Sequence, residues 1–123
     1  MNFGTQMKRI ETNNSLSLEI DEQADQISVK WLGRSGDREP SIFLKPIFED
    51  LLSKNKKIIF DFKSLEFMNS STVTPVIKVI DIIKSKEGEI LIIFSKDTKW
   101  QELSFTAMEI LKTDDGSIDV RGE

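Results

Sequence analysis

The chain has 123 residues, of which 38% are hydrophobic and 31% charged, with a net charge of −4. That is the length of one domain, with enough apolar content for a core, and the acidic balance argues against a nucleic-acid or anionic-membrane surface. There is no cysteine and no histidine, which excludes disulfides, thiolate metal sites, thiol catalysis and the commonest general base.

Residues 1–14 are polar apart from Phe3, Met7 and Ile10. They have no apolar signal-peptide region and read as an N-terminal arm carrying at most a short edge strand. The longest unbroken apolar run, Ile90 to Phe94, is far too short to span a bilayer, so the expected location is the cytoplasm. Residues 15–123 read as a single domain.

Leu16, Leu18 and Ile20 alternate with polar residues, as do Ile27, Val29 and Trp31. This is the period of a half-buried strand, and the short polar link predicts an antiparallel hairpin. Gly33 to Pro40 is a loop by composition. Its two arginines could hold an anion, but no phosphate-loop spacing accompanies them, and a solvated connection is the simpler reading. Leu44, Ile47, Phe48, Leu51 and Leu52 have helical spacing. Ser41 is a candidate cap, with Pro46 either distorting the first turn or marking the regular start. Lys54 to Lys57 is a basic clip that suits a helix C-terminus.

Lys57 to Phe62 and Ile90 to Phe94 read as strands buried on both faces, because their apolar runs do not alternate. A helix from about residue 71 to 86 joins them, which implies a parallel pair. Gly88 is the expected C-cap residue. Asp97 or Thr98 can cap a last helix presenting Trp100, Leu103, Ala107, Met108 and Leu111 on one face. Asp114 to Gly116 reads as a turn, and Ile118 and Val120 as the last short strand. The fold class is α/β: a hairpin followed by αβαβαβ, with a mixed sheet of about five strands.

Between the first buried strand and its helix lie Asn69, Ser70, Ser71 and Thr72, four consecutive small polar residues. On the helix, Val73, Val76, Ile77, Ile80 and Ile83 form the expected core face, and Thr74, Lys78, Asp81 and Ser85 lie opposite. Pro75, Val79 and Ile82 form a third stripe, which either packs on a neighbouring helix or serves as a docking edge. Pro75 leaves three starts open: an N-cap at Thr72, at Asn69 or Ser70, or at Thr74 with the proline at N1. A start near Ser71 is preferred. In each case Ser70 and Ser71 fall at or just before a helix N-terminus, where free N–H groups and the dipole tolerate a phosphate. Capping alone is the bland reading of these hydroxyls, and phosphorylation the functional one.

The order of elements and the run DFKSLEFMNSSTVTPVIKVIDIIKSKEGEILIIFSK resemble the STAS fold of anti-sigma-factor antagonists. Leu65, Phe67, Met68, Ser70 and Ser71 match that family's Leu-x-Phe-Met-Asp-Ser-Ser-Gly-like segment. The resemblance covers about residues 57–96. It implies helices packed mainly on one face of the sheet. It also implies a bacterial partner-switching phosphoprotein that binds a GHKL-type serine/threonine kinase or anti-sigma factor and is restored by a PP2C-type phosphatase. On the antagonist pattern Ser71 accepts the phosphate.

Asn69 stands where that family has aspartate and Thr72 where it has glycine, and no final helix follows the last strand. These features look more like the SiaC-type branch, with its Leu-Asn-Thr-Ser-Ser segment. There the residue after the asparagine accepts the phosphate, here Ser70, and a diguanylate cyclase joins the partners. Pro75 departs from both branches. The expected phosphorylation sites are Ser71, Ser70 and Thr72. The expected partner-binding residues are Met68, Asn69, Thr74, Pro75, Lys78, Val79 and Ile82.

A serine nucleophile would need a lysine as its base, and Lys78 lies across the helix from the core face. Asp61 reads as a local cap at the strand end, despite Glu66 nearby, and Asp114 and Asp115 read as turn residues. The expectation is therefore a non-enzyme with no metal and no cofactor. The rival expectation is a constitutive STAS-type scaffold or small-ligand module whose serines only cap the helix.

Overall fold

The computed structural model describes residues 7–123. Phe3 and the first part of the expected arm lie outside the described residues. The elements run β1 (Met7–Asn13), β2 (Leu16–Glu22), β3 (Gln26–Ser35), α1 (Ser41–Ser53), β4 (Lys57–Asp61) and β5 (Leu65–Met68). They continue with α2 (Ser70–Ser85), β6 (Ile90–Phe94), α3 (Lys99–Thr106), a 3₁₀ turn (Ala107–Leu111) and β7 (Ile118–Gly122).

The fold is α/β with one mixed sheet of seven strands, in the order β1-β2-β3-β4-β6-β7, with β5 pairing the end of β3. About five strands were expected, and the two extra ones are β1 and β5. β1 pairs antiparallel along all of β2, with Met7 60% and Ile10 65% exposed. It is a polar edge strand held by ladder hydrogen bonds and not by burial, so no apolar alternation marks it. Arg9 ties it to α1 through a 2.9 Å ion pair with Asp50.

The expected hairpin forms as β2 and β3, and β3, β4, β6 and β7 are parallel. Their register lines up one apolar row, Ile20, Val29, Phe60, Ile92 and Val120. Each of these residues is at most 3% exposed. Fully burying such a side chain stabilises by roughly 1.5–3 kcal/mol. The helices add their buried residues to the same core cluster, on the same face of the sheet.

The opposite face is open, which corrects the expectation that β4 and β6 are buried on both sides. Their burial alternates, and Ile59, Leu91 and Ile93 are only half-buried. Lys30, Asp61 and Arg121 stand on the same open face, which keeps it wet.

Trp31 and Phe62 anchor the core, with ring centroids 4.6 Å apart, and Phe105 of α3 lies 4.8 Å beyond Phe62. The inward residues of the last helical segment are Gln101, Phe105 and Met108, whereas Leu103 is 65% exposed. Of the expected face, Met108 is buried and Trp100 and Leu111 pack half-buried against the core, whereas Leu103 and Ala107 are exposed, because a buried glutamine leads the face. Gln101 is 0% exposed and makes three bonds. Its Nε2 donates to the Phe62 and Leu65 carbonyls at 2.7 and 2.9 Å, and its Oε1 accepts from the Ser95 N–H at 2.8 Å. It therefore clamps the turn between β4 and β5.

Several helix ends differ from expectation. The N-cap of α1 is Pro40, with no side-chain cap, so Ser41 is already helical and Pro46 lies inside. Pro46 removes the N–H that would reach the Ile42 carbonyl, at the exposed start of the helix. Lys54 is its C-cap, with Asn55 left-handed at φ 55. In the basic clip, Lys56 donates to Glu22 at 2.8 Å and to the Gln23 carbonyl at 2.7 Å. At the end of α2 the left-handed residue is Glu87, φ 57, and not Gly88. Glu87 and Gly88 donate to the Lys84 and Ile83 carbonyls, a Schellman closure in which a glutamate occupies the usual glycine place. Asp97 caps no helix: the N-cap of α3 is Thr98, which makes no side-chain capping bond. The Asp114–Gly116 turn forms as expected, with Gly116 at φ 78.

Replacing Gln101 by leucine keeps the volume but removes all three bonds, and leaves the Phe62 carbonyl with the Leu65 N–H as its remaining donor. The expected loss is about 3 kcal/mol in urea denaturation, and an unchanged midpoint would show that the clamp carries no stability. Asp115 accepts bonds from the Ser117 N–H and from the Thr113 and Ser117 hydroxyls, which lower its pKa to about 2. Its folded value lies below the ordinary 3.8, so its contribution is complete above that pH and is lost as pH falls towards 2. Asp115→Asn should therefore flatten the acid limb of the stability curve between those values, as followed by denaturant titration.

Candidate functional site

β4 ends in a local turn in which the Asp61 carboxylate accepts from the Lys63 N–H at 2.9 Å. The chain then re-enters the sheet as β5, parallel to the last residues of β3. β3 therefore extends through Ser35 into the stretch expected to be loop. Gly33 makes this possible: its φ is +84, and a Cβ there would collide with the Ser15 carbonyl. A bulge between Gly33 and Arg34 then shifts the register, so that Arg34 faces Phe67 and Ser35 faces Met68.

This pairing delivers Asn69 to the junction of three elements. Its backbone N–H donates to the Ser35 carbonyl at 3.0 Å, and its Nδ2 donates to the Asp37 carbonyl at 2.7 Å. Its Oδ1 accepts from the Thr72 N–H at 3.0 Å and the Thr72 hydroxyl at 2.7 Å. Asn69 is thus the N-cap of α2, in extended conformation with φ −80 and ψ 167. This settles the start among the alternatives: Ser70 is the first helical residue, one before the preferred Ser71, and Pro75 lies inside. The proline removes the N–H that would have reached the Ser71 carbonyl, in a turn already open to water.

Thr72 is 0% exposed, and its hydroxyl lies 2.6 Å from the buried Ser35 hydroxyl. Its side chain is part of the joint, and its hydroxyl is committed to two bonds out of reach of solvent, unlike those of the other two candidate phosphate acceptors. Ser70 and Ser71 are exposed, and their hydroxyls form no hydrogen bond with any described residue. No acidic residue lies in the first turn of α2, and the N–H groups of Ser70 and Ser71 have no acceptor within the helix.

The candidate partner-binding residues divide. Thr74 and Lys78 are exposed, and Ile82 is 37% exposed. Asn69 is half-buried and fully engaged in the joint. Met68, Pro75 and Val79 are buried. Pro75 and Val79 line a narrow groove with Phe48 and Leu52 of α1, and Ile82 stands at its rim. Pro75 and Val79 of the third stripe therefore pack towards the neighbouring helix while Ile82 stays exposed, and Val73 and Ile77 move to the half-buried edge of the core.

Sequence reasoning missed Ser35 and Gln101. Each is a polar residue in a polar-looking stretch, and each is buried only by contacts with distant residues. Among the described residues there is no cluster of acidic side chains able to hold a metal ion, and no helix is long and apolar enough to cross a membrane. Compared with protein-family models and with curated proteins, the chain matches none.

The joint separates the hydroxyls by role, and stability should follow. Thr72→Val leaves the Ser35 hydroxyl without its partner and should cost about 1–3 kcal/mol. Asn69→Asp keeps a cap acceptor but loses the donor to Asp37, at a cost of about 1 kcal/mol. Ser70→Ala and Ser71→Ala should each fall within about 0.5 kcal/mol of the parent. Urea denaturation of the four variants checks the order, and an equal loss in Ser71→Ala and Thr72→Val would contradict it.

Proposed function

We propose that the chain is a non-enzymatic switch protein, reversibly phosphorylated on Ser70 or Ser71, whose modification controls docking of a partner on the exposed edge of α2. The observation that carries this reading is the division of labour at the helix start. Asn69 caps the helix and Thr72 locks it, so Ser70 and Ser71 are left exposed with no structural bond to make.

A phosphoryl group there adds roughly −1.5 to −2 charges and three acceptor oxygens. The free N–H groups of the first turn and the helix dipole accommodate it within the fold. On the outer surface the same charge opposes a partner seated on Thr74, Lys78 and Ile82, through repulsion or desolvation. The resemblance of residues 57–96 to STAS-type antagonists and the SiaC-type branch supplies the class of partner. That class is a GHKL-type kinase or anti-sigma factor, opposed by a PP2C-type phosphatase, with a diguanylate cyclase as a further effector, all in the cytoplasm. The rival, a constitutive scaffold with purely capping serines, is less well supported because the capping bond comes from Asn69.

Mass spectrometry of the protein isolated from cells, with and without phosphatase treatment, tests this directly. The expected result is phosphate on Ser70 or Ser71 and none on Thr72. Its absence from both serines under every growth condition would sink the switch. In parallel, Ser70→Asp or Ser71→Asp should weaken capture of a GHKL-type kinase at least about tenfold, equivalent to 1.4 kcal/mol, with circular dichroism unchanged.

A further inference from the structure

A cleft of about 570 Å³ opens beside the switch segment, between the β1–β2 turn, the end of β3, the start of α1 and β5. Its size is in the range of small-molecule sites. Asn13, Arg34, Asp37, Arg38, Phe43 and Phe67 line it. It lies beyond the carboxyl end of β3, the strand at which the sheet changes from antiparallel to parallel pairing. That end of an α/β sheet is where ligands are held.

The arginines single it out. The chain has four: Arg9 and Arg121 form ion pairs, with Asp50 and Asp119. Arg34 and Arg38, both in the cleft, have no ion pair and no side-chain hydrogen bond with any described residue. The Arg34 guanidinium lies over the Phe67 ring, 4.8 Å from its centroid. This cation–π contact holds the guanidinium over the ring and leaves its N–H groups for bidentate contact with an anion. Two guanidiniums face one carboxylate, Asp37, which is itself held by Asn13 Nδ2 at 3.2 Å. The balance is a single positive charge, suited to one phosphate and not to a polyanion. Phe43 and Pro40 provide an apolar wall for a flat body, and Asn13 and Asp37 a polar edge able to bond the donors and acceptors of a base.

We infer that this cleft binds a nucleoside monophosphate, its phosphate on Arg34 and Arg38 and its base against Phe43. This inference does not rest on phosphorylation at Ser70 or Ser71. The test is an amide NMR titration of the full chain with GMP, AMP, guanosine and inorganic phosphate, repeated on Arg34→Gln and Arg38→Gln. The expected result is saturable shifts at residues 34–43 with GMP or AMP, weakened about tenfold in either variant. Guanosine and inorganic phosphate should each bind at least about tenfold more weakly than the nucleotide. Three results would overturn the inference: no saturable shift with either nucleotide at millimolar concentration, binding unchanged in both variants, or phosphate alone binding as tightly as the nucleotide. The same spectra show whether each variant is folded.

Discussion

The hydrogen bonds made by the Asn69 side chain and its backbone N–H are the constraint on which the functional end of this molecule depends. One backbone and three side-chain bonds fasten the last residue of β3, the loop that follows it and the first turn of α2 to a single amide. Only an amide can do this, because one end must donate to the Asp37 carbonyl while the other accepts from Thr72. The choice of asparagine over aspartate at position 69 therefore has a local cause. Thr72 in place of glycine has one too, since its hydroxyl fills the space between Asn69 and Ser35 and bonds to both.

The chemistry available to the serines follows from that joint. Side chains that cap a helix are committed, and modifying them costs the bonds they make. Here the commitment falls on Asn69 and Thr72. The two residues that follow the cap have exposed hydroxyls, free backbone donors and a favourable dipole. Gln101 supports the arrangement from below by holding the turn that aims β5 at the joint. The loop tied down by Asn69 is also the one that carries Arg38 to the rim of the adjoining cleft.

Much of the fold was legible in the sequence where burial has a simple period. β2 and β3 alternate cleanly, and β6 is a compact apolar run between turn signals. The misreadings have physical origins. β1, expected as no more than a short edge strand, runs for seven residues because its apolar residues face water and give no period to read. β5 has four residues, of which only Leu65 and Met68 turn inward, so it carries no alternation. Ile59, Leu91 and Ile93 suggested a second covered face, yet they are only half-buried among charged neighbours. At the site, the hydroxyl cluster itself was legible, but the choice among its members was not. Thr72 is buried by a bond to Ser35, 37 residues away, and no local pattern reports a contact of that range.

The central claim is that the start of α2 is built to carry a phosphate on Ser70 or Ser71 without loss of the fold. Its most direct test is the urea denaturation of protein carrying phosphoserine at position 70 or 71, made by site-specific incorporation, beside the unmodified chain. For at least one position the account predicts a stability equal to the parent or higher by about 0.3–1 kcal/mol, an increment that salt should reduce. A loss of more than about 1 kcal/mol at both positions would contradict it.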